Sequence, residues 1–313
     1  MTGGAHRPPR IFISAGEVSG DIVAARLIDA FRAIDGTSII DGIGGPRMAQ
    51  AGANVIASAN HIGAIGFSEG LAVVPAGIRV GLAALRHCRK HRPDAAVLIS
   101  NDVFNILLGR RLRAMGIPTL SLFPPQPWIW RSLAWAIAPS FDRVLASFPD
   151  EARCYAGAGL PVDVVGHYLA NVLSPVTAKE RADARVALGL PHEAPVLLLM
   201  PGSRHREIAA LFPTMLAAAD IVAQARPEVQ IVTALSDTAT GDEVETRATP
   251  GGRRVGLCRD SHLAMRAADV TIVCSGTATL EAALIGLPMV VAYKASRICL
   301  LYTSDAADEG LGV

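Results

Sequence analysis

Short apolar runs alternate with longer amphipathic segments along most of this chain of 313 residues. The runs are rich in Val, Ile and Leu, a composition typical of strands that are buried on both faces of a parallel sheet. The segments between them repeat apolar residues with helical spacing. This alternation predicts an α/β fold. We predict strands at 10–14, 39–43, 95–100, 118–123, 143–146, 162–165, 196–200, 230–234, 270–273 and 289–292, and helices at 22–34, 106–115, 207–225 and 277–284.

The alternation is interrupted at residues 172–182, which include Ser174 and Pro175 and show no clear periodicity. We interpret this segment as a linker between two domains, at residues 1–171 and 183–298. A chain of this length can form two domains that each bury a core. Because both halves repeat strand and helix, we expect two Rossmann-like domains with a cleft between them.

Charge and cysteine content argue against several classes of protein. The formal net charge is +1 and the pI is near 7.7, so bulk electrostatics gives no support for nucleic-acid binding. The five cysteines are scattered without a C-x-x-C pair, which indicates reduced cytosolic thiols rather than disulfides or a zinc site. Residues 1–10 do not resemble a signal peptide. Mean hydropathy is +0.36, but charges, Pro and Gly interrupt every long apolar stretch, so we predict no transmembrane helix.

The loop between the strand at 270–273 and the helix at 277–284 has the composition of a phosphate-binding loop. Ser275, Gly276 and Thr277 stand at the start of the helix, where N–H groups and the helix dipole favour an anion. Glu281, one turn further, is placed to accept ribose hydroxyls. The alternative is a structural turn of small residues that binds nothing.

A second loop of this kind follows the strand at 196–200. Its sequence is Pro201-Gly-Ser-Arg204, and Arg204 could neutralise a diphosphate through paired hydrogen bonds. The alternative for Arg204 is an ion pair with Glu207 at the surface. Two such loops in one predicted domain favour a nucleotide site.

The first predicted domain has glycine-rich loops after its first two strands, at residues 15–21 and 44–48. Ligands of open α/β sheets bind at the carboxyl ends of strands. G-x-G-x-x-G is absent, so these loops do not predict a dinucleotide site. Asp21 either caps the helix that follows it or contacts substrate, and the sequence leaves both readings open. His167, after a later strand, is more typical of a structural residue.

Residues 62–85 form an apolar, glycine-rich stretch, and the basic segment 86–92 follows directly. An apolar surface beside basic residues suits contact with anionic lipid. The alternative is a core helix with a solvated basic end. Taken by themselves, these residues favour this alternative.

Four motifs, in this order, resemble those of lipid-A-disaccharide synthases. They are Ser14-Ala-Gly-Glu-Val-Ser-Gly-Asp21, Gly44-Gly-Pro-Arg-Met48, Pro201-Gly-Ser-Arg204 with Glu207, and Ser275-Gly-Thr-Ala-Thr-Leu-Glu281 with Pro288-Met-Val-Val291. The resemblance implies a glycosyltransferase of the GT-B type that transfers 2,3-diacylglucosamine from its UDP donor to 2,3-diacylglucosamine 1-phosphate with anomeric inversion. The products are lipid A disaccharide 1-phosphate and UDP. The alternatives are a non-catalytic UDP-sugar or lipid-binding relative and a sugar-nucleotide epimerase of the same architecture.

The resemblance also implies roles for particular residues and a location in the cell. It favours lipid contact for the segment that begins at residue 62, and a cytoplasmic enzyme that is peripheral on the inner membrane. We expect no cofactor and no metal, because D-x-D and clustered His and Asp are absent, and no nucleic-acid partner. The residues expected to bind the UDP-sugar are Gly202, Ser203, Arg204, Ser275, Gly276, Thr277, Thr279 and Glu281, and those expected to contact lipid are Ile62, Ile65, Phe67, Leu71 and Val74.

The catalytic base is where this chain departs from the family pattern. The family has an aspartate directly after the strand that matches 95–100, and often a second one just before a Phe-Asn pair. Ser100 and Val103 stand at those two places here, with Asp102 between them, and the family's Gly-His-x-x-x-Asp ends in Asn171. We predict Asp102 as the base, with Glu17 as the other catalytic candidate.

The resemblance extends to about Arg297. One set of codons that would encode residues 299–309 matches the end of a transposon adapter used in sequencing libraries, so we predict that residues 299–313 are not native. On this interpretation the second domain is incomplete and the chain truncated. A sheet without its closing helices should leave an apolar face uncovered.

Overall fold

The computed structural model describes residues 7–58, 70–100, 102–125, 127, 131–203, 205–235 and 248–294. The chain divides into two compact units, Met1–Tyr168 and Leu169–Val313. Each unit contains one sheet in which every strand pairing is parallel, and helices alternate with the strands. The predicted α/β fold class is confirmed.

The first unit is built on a seven-stranded sheet with the strand order β3-β2-β1-β4-β5-β6-β7. Strands β2 and β3 are added on one side of β1, and β4 to β7 are added on its other side. This change of direction at β1 is typical of doubly wound sheets. Its strands are β1 (Arg10–Ala15), β2 (Ile39–Gly44), β3 (Asn54–Ser58), β4 (Ala95–Ile99), β5 (Thr119–Leu122), β6 (Arg143–Ala146) and β7 (Val162–Val164).

Helices cover both faces of this sheet, and β1 shows how the core is divided between them. Ile11 and Ile13 point to one face and pack with α1 and α2, whereas Phe12 between them packs on the opposite face with α3 to α6. All three side chains are buried, which explains the continuous apolar runs in the sequence. The helices are α1 (Val18–Ile34), α2 (Pro46–Gln50), α3 (Gly70–His91), α4 (Asp102–Ala114), α5 (Arg131–Ile137) and α6 (Pro149–Gly157).

A buried polar cluster joins α3 to the first strands. The carboxylate of Asp41 accepts hydrogen bonds from Arg10 Nη1 at 2.7 Å and Asn54 Nδ2 at 2.8 Å, and His87 Nε2 lies 3.2 Å from it. Burial alone would raise the pKa of Asp41, but the hydrogen bond from Asn54 and the neighbouring imidazole of His87 lower it below its ordinary value. On the next residue of α3, burial raises the pKa of the Cys88 thiol to about 12.

The second unit has a five-stranded sheet with the order β10-β9-β8-β11-β12. Val290 and Val291 on its edge strand β12 are 60% and 53% exposed. Its strands are β8 (Val196–Met200), β9 (Gln230–Ala234), β10 (Val255–Cys258), β11 (Val270–Cys274) and β12 (Met289–Ala292), and its helices are α7 (Ala178–Ala187), α8 (His205–Ala225), α9 (Ser261–Ala267) and α10 (Thr277–Ile285).

Helix α8 forms much of the core of the second unit. Its Ile208, Phe212 and Met215 are almost fully buried against Leu197 and Leu199 of β8. Among the described residues, Glu207–Ala225 is the one segment long and apolar enough to cross a membrane. Because these side chains pack against the sheet, we interpret α8 as a core helix.

The segment 172–182, predicted as a linker without regular structure, is partly helical. Helix α7 begins at Ala178, and the hydroxyl of Thr177 accepts the N–H of Glu180 while the Glu180 carboxylate accepts the N–H of Thr177. This reciprocal capping stabilises the first turn of α7. The predicted tail at 299–313 lies outside the described residues.

Candidate functional site

In the first unit, one edge of the sheet carries the residues that the sequence predicted. Strands β2, β1, β4 and β5 are neighbours and parallel, so the loops at their carboxyl ends lie along the same edge. Glu17, residues 44–48 and Asp102 lie at this edge, directly after or at the ends of these strands. This is the edge at which open α/β sheets bind ligands.

Glu17 is the residue directly before helix α1. Its backbone is extended, its carbonyl accepts the N–H of Asp21 at 2.9 Å, and its side chain makes no capping hydrogen bond to the helix. The side chain is partly buried at the carboxyl end of β1. The catalytic role of Glu17 stays a prediction.

Asp21 stabilises the second glycine-rich loop. Its carboxylate is 6% exposed and accepts the backbone N–H groups of Gly45 at 2.8 Å, Arg47 at 3.0 Å and Met48 at 3.1 Å. A Cβ on Gly45 would lie 2.5 Å from this carboxylate, so the close approach requires glycine. Asp21 therefore caps α2 rather than its own helix, and the structural reading is the one that the hydrogen bonds support.

A buried hydrogen-bond network joins β1, β4 and α4. The hydroxyl of Ser14 donates to Asn105 Oδ1 at 2.8 Å, and Asn105 Nδ2 donates to the carbonyl oxygens of Ile99 at 3.1 Å and Ser100 at 2.6 Å. The side chains of Ser14 and Asn105 are almost completely buried. Ser100 has a φ of 49°, a left-handed conformation that few residues other than glycine adopt.

Asp102 is the first residue of α4, two residues after Ser100. Its backbone is therefore at the carboxyl end of β4, while its side chain lies outside the described part of the structure. Val103, at the second aspartate position of the family, is 65% exposed. The role of Asp102 as a base stays a prediction.

Aromatic side chains follow β5 and β7 at the same edge. Phe123, which also has a left-handed backbone with φ 54°, stacks on His167 with ring centroids 5.0 Å apart. His167 stacks in turn on Tyr168 at 4.9 Å, and the guanidinium of Arg26 lies 5.3 Å from the Tyr168 ring. The imidazole is thus part of an aromatic stack, which agrees with the structural role expected for it.

A surface groove of about 890 Å³ lies beside this edge, between α5 and α6. Trp135, Phe148, Arg153 and Cys154 are among the residues that line it. None of the predicted site residues is among them.

In the second unit, the loop after β11 leads directly into α10. Ser275, Gly276 and Thr277 are exposed, and Gly276, which precedes the helix, has no atom within 4 Å of the position that a Cβ would occupy. The Thr279 hydroxyl donates to the Gly276 carbonyl at 2.7 Å. The first N–H groups of a helix have no acceptor within it, so this open turn can accept an anion.

The loop after β8 is stabilised by Glu207. Gly202 has a φ of 116°, and a Cβ there would lie 2.6 Å from a Glu207 carboxylate oxygen, so this position requires glycine. The Glu207 carboxylate also accepts the N–H of Ser203 at 3.3 Å. Arg204 lies outside the described residues, and its predicted contact with a diphosphate stays a prediction.

The two loops of the second unit are neighbours. Strands β8 and β11 pair directly and in parallel, so the loops at their carboxyl ends emerge side by side. The Sγ of Cys274, at the end of β11, lies 3.5 Å from the position of a Cβ on Gly202. The structure therefore brings Gly202, Ser203, Ser275 and Gly276 together.

Glu281, predicted to bind ribose, is paired with a residue that the sequence analysis missed. His262 Nε2, at the start of α9, lies 3.3 Å from Glu281 Oε1. This hydrogen bond and the negative charge of Glu281 raise the pKa of His262 above its ordinary value. Both side chains are partly exposed, so Glu281 remains accessible to a ligand.

The predicted lipid-contact residues lie mostly outside the described part. Ile62, Ile65 and Phe67 fall in the segment 59–69, and the side chain of Leu71 is not described although its backbone belongs to α3. Val74 is 52% exposed. Ile78 and Leu82 follow on the same face of α3 and are 57% and 45% exposed. Within the described residues, no group of three or more potential metal ligands was found.

Two contacts were missed because neither has a sequence signature of its own. Asn105 was expected just before the helix predicted at 106–115, whereas it lies within α4, and His262 lies in a short helix that was not predicted. A polar residue at the end of a buried apolar run, such as Ser14, was the available signal, because a buried hydroxyl requires a partner.

Comparisons with known proteins decide the family. The profile described as lipid-A-disaccharide synthetase matches residues 11–303. The chain belongs to the lipid-A-disaccharide synthase family. The synthase of Geobacter sulfurreducens is 36% identical over 291 residues, which are 92% of this chain and 75% of that protein. The synthase of Chromohalobacter salexigens is 40% identical over 289 residues, 91% of this chain and 74% of that protein.

Solved structures of more distant proteins have the same fold. The UDP-GlcNAc 2-epimerase of Neisseria meningitidis, bound to UDP-GlcNAc, superposes with a TM-score of 0.67 at 13% identity, over 96% of this chain and 85% of that one. MurG of Acinetobacter baumannii gives a TM-score of 0.53 at 16% identity, over 96% of this chain and 84% of that one. The GT-B type of architecture predicted from the sequence is confirmed.

Membership of the lipid-A-disaccharide synthase family makes this chain a glycosyltransferase of lipid A biosynthesis, with a UDP-sugar donor and a lipid acceptor. The predicted family and enzyme class are thereby confirmed. The epimerase alternative is not favoured, because the likeness to epimerases concerns the fold alone.

Proposed function

We propose that this chain transfers 2,3-diacylglucosamine from its UDP donor to 2,3-diacylglucosamine 1-phosphate and releases UDP. The observation that carries the proposal is the pairing of β8 with β11, which sets two glycine-containing loops side by side in the second unit. A diphosphate needs several donors at once, and two adjacent loops can supply them.

In the proposed donor site, the diphosphate binds between the loops that follow β8 and β11. The N–H groups at the start of α10 and the guanidinium of Arg204 stabilise the phosphate charge that develops as UDP leaves. Gly202, Ser203, Ser275, Gly276, Thr277 and Thr279 form the walls, and Glu281 accepts hydroxyls of the ribose. Support comes from the exposure of the loop after β11 and the partial exposure of Glu281.

In the proposed mechanism, a carboxylate of the first unit accepts the proton of the acceptor hydroxyl while that oxygen attacks the anomeric carbon. Inversion follows because the oxygen attacks opposite the departing UDP. Asp102 at the start of α4 is the proposed base, and Glu17 after β1 is the other candidate. Both residues follow strands that are neighbours in the sheet, which supports their assignment to one site.

The proposed division of labour follows the two units. Residues 1–171 would hold the acceptor and its acyl chains, and residues 183–298 would hold the UDP-sugar. Each unit carries candidate residues at the carboxyl edge of its own sheet, which supports this division.

We further propose that the enzyme is cytoplasmic and peripheral on the inner membrane, because both substrates carry acyl chains. The segment from Ile62 to Val74, with the exposed face of α3, would contact the lipid. Val74, Ile78 and Leu82 are about half exposed, and Arg86, Arg89 and Lys90 at the basic end of the helix are exposed. Apolar and basic groups together favour an anionic bilayer.

The experiment is a coupled assay of UDP release with the acylated donor, with and without the acylated acceptor. We expect UDP only when both are present, and a disaccharide product by mass spectrometry. UDP-N-acetylglucosamine turnover without acceptor would instead identify an epimerase. Binding of UDP with no turnover under any condition would indicate a non-catalytic relative.

A further inference from the structure

The turn at the end of β4 has an unusual backbone. Ser100 adopts φ 49° although it has a Cβ, and only residue 101 separates it from Asp102, the first residue of α4. A side-chain-bearing residue stays in this conformation only when its surroundings enforce it. Sharp strand-to-helix turns of this kind hold functional groups above the edge of a sheet.

The amide of Asn105 supplies the enforcing contact. Its Nδ2 donates to the carbonyl oxygens of both Ile99 and Ser100, at 3.1 Å and 2.6 Å. In an extended strand, consecutive carbonyl groups point to opposite sides. Both can face one NH₂ group only when the chain turns at Ser100, so the two hydrogen bonds favour the left-handed conformation.

Ser14 fixes the orientation of that amide. Its hydroxyl donates to Asn105 Oδ1 at 2.8 Å, so the NH₂ group must face β4. Ser14 is fully buried and Asn105 is 2% exposed, and a rotated amide would leave carbonyl groups and a hydroxyl unsatisfied in the interior. The network thus ties the carboxyl ends of β1 and β4 to α4.

We infer that Asn105 is a positioning residue for glycosyl transfer: by holding Ser100 in the left-handed conformation it fixes the start of α4, where Asp102 stands. The inference rests on the proposed function for the role of Asp102. Asn105 does not contact the reacting atoms in this assignment. Its effect is on the geometry of the turn, which decides where the first residue of α4 is held.

The test combines Asn105→Ala with Ser100→Gly in the full chain. We expect Asn105→Ala to lower kcat by about 10- to 100-fold, with KM and UDP affinity changed by less than about threefold, because a shifted base affects the transition state and not the donor loops, which belong to the second unit. Adding Ser100→Gly should restore at least part of kcat, since glycine reaches the left-handed conformation without the amide.

Two further variants keep the test sound if Asn105→Ala folds poorly. Asn105→Asp preserves the shape but replaces the donating NH₂ group with an acceptor, so it should lower kcat as well. Ser14→Ala removes only the orienting hydrogen bond and should have a smaller effect of the same kind. Thr119→Val is the control, because Thr119 carries a buried hydroxyl at the amino end of β5, away from the carboxyl edge of the sheet. The kcat of this variant should equal that of the wild type.

A loss of kcat in Asn105→Ala that Ser100→Gly does not relieve, or an equal loss in Thr119→Val, would overturn the inference. If Asp102→Asn is fully active while the Asn105 variants behave as expected, Asp102 is not the base. Asn105 would still position the turn after β4 for catalysis. If the wild-type chain releases no UDP, the proposed function fails by itself. Crystal structures then decide the inference: φ of residue 100 should leave the left-handed region in Asn105→Ala, and a φ that remains near 49° would contradict it.

Discussion

Arg204 is the residue on which the donor site depends most. In the proposed site its guanidinium donates to the diphosphate through charge-assisted hydrogen bonds. We expect Arg204→Ala to weaken UDP binding by about 1.5–3 kcal/mol in calorimetry. Arg226→Ala, a change at an exposed arginine of the same unit, should leave UDP affinity unchanged. Equal affinity of wild type and Arg204→Ala would remove Arg204 from the site.

Asp102 is tested by a change that removes its charge and preserves its shape. Asp102→Asn cannot accept the proton of the acceptor hydroxyl, so turnover should fall by roughly 10²- to 10⁴-fold while UDP affinity is retained. Steady-state assays with saturating donor provide the measurement, with Glu17→Gln alongside. An active Asp102→Asn and an inactive Glu17→Gln would move the base to Glu17.

His262 gives the second unit a pH-dependent contact. Its pKa is raised above 6.5 by Glu281, so the stabilisation is fully present below about pH 6.5 and is lost as pH rises through the higher pKa of the folded state. We expect His262→Gln to be less stable than wild type by up to about 1 kcal/mol at about pH 5.5, and by less at about pH 8.5, since the pair is partly exposed. Urea unfolding at both values measures this difference.

Glu281→Gln serves as the companion variant, because removing the carboxylate abolishes the same interaction from the other side. Its stability deficit should decline over the same pH range. A deficit that is independent of pH in both variants would show that the two side chains do not pair in solution.

For single residues, the sequence predicted the element in which a residue lies better than the groups with which it forms hydrogen bonds. Gly202 and Gly276 were placed in loops correctly, because strands and glycines have clear local signals. The hydrogen bonds of Asp21 were not predictable, since the N–H groups that donate to its carboxylate lie more than twenty residues further along the chain. The Asn105 network was missed for the same reason, because its members lie on β1, β4 and α4.

Among the elements, α3 is the one with a testable surface role. Its Val74, Ile78 and Leu82 form an exposed apolar face, while Ala84 and Cys88 are buried in the core. Ile78→Asp should weaken binding to anionic vesicles by about tenfold, because a charge cannot enter the lipid and apolar burial worth about 1.4 kcal/mol is lost. Co-sedimentation with vesicles of phosphatidylglycerol measures the change.

The control is Val186→Asp, at a valine of α7 that is 75% exposed in the second unit. Asp at Ile65 or Phe67 should reduce vesicle binding in the same way, and the binding of wild type should survive high salt. Identical binding of Ile78→Asp and Val186→Asp would exclude α3 from the lipid contact.

Strands with continuous apolar runs were predictable, whereas several helices and strand β10 were not. The strands Val196–Met200, Gln230–Ala234 and Met289–Ala292 were predicted with the bounds that the structure gives them. Helix α7 was missed although Thr177 and Glu180 form a capping signature, because the segment had been interpreted as a linker. Strand β10 contains Gly256, which weakens the strand signal.

For the whole molecule, the exposed valines of β12 predict limited solubility. Val290 and Val291 point to opposite faces of the edge strand and are both more than half exposed. Exposed apolar edge strands promote association between molecules. Val290→Lys should lower the associated fraction in sedimentation velocity at concentrations of tens of micromolar, whereas Ile221→Lys on α8 should not. Association that is equal in both variants would place the contact elsewhere.

The buried thiol of Cys88 determines how this protein can be labelled. With a pKa of about 12, only on the order of 10⁻⁵ of it is thiolate at neutral pH, and thiolate is the form that attacks a maleimide. Cys258 and Cys274 are buried as well, whereas Cys154 is partly exposed on the groove that Trp135 lines. A dye added to the native protein should therefore attach at Cys154 before the other described cysteines, where Trp135 can report its arrival by fluorescence quenching. Reaction at Cys88 would then be a signal that the first unit has opened.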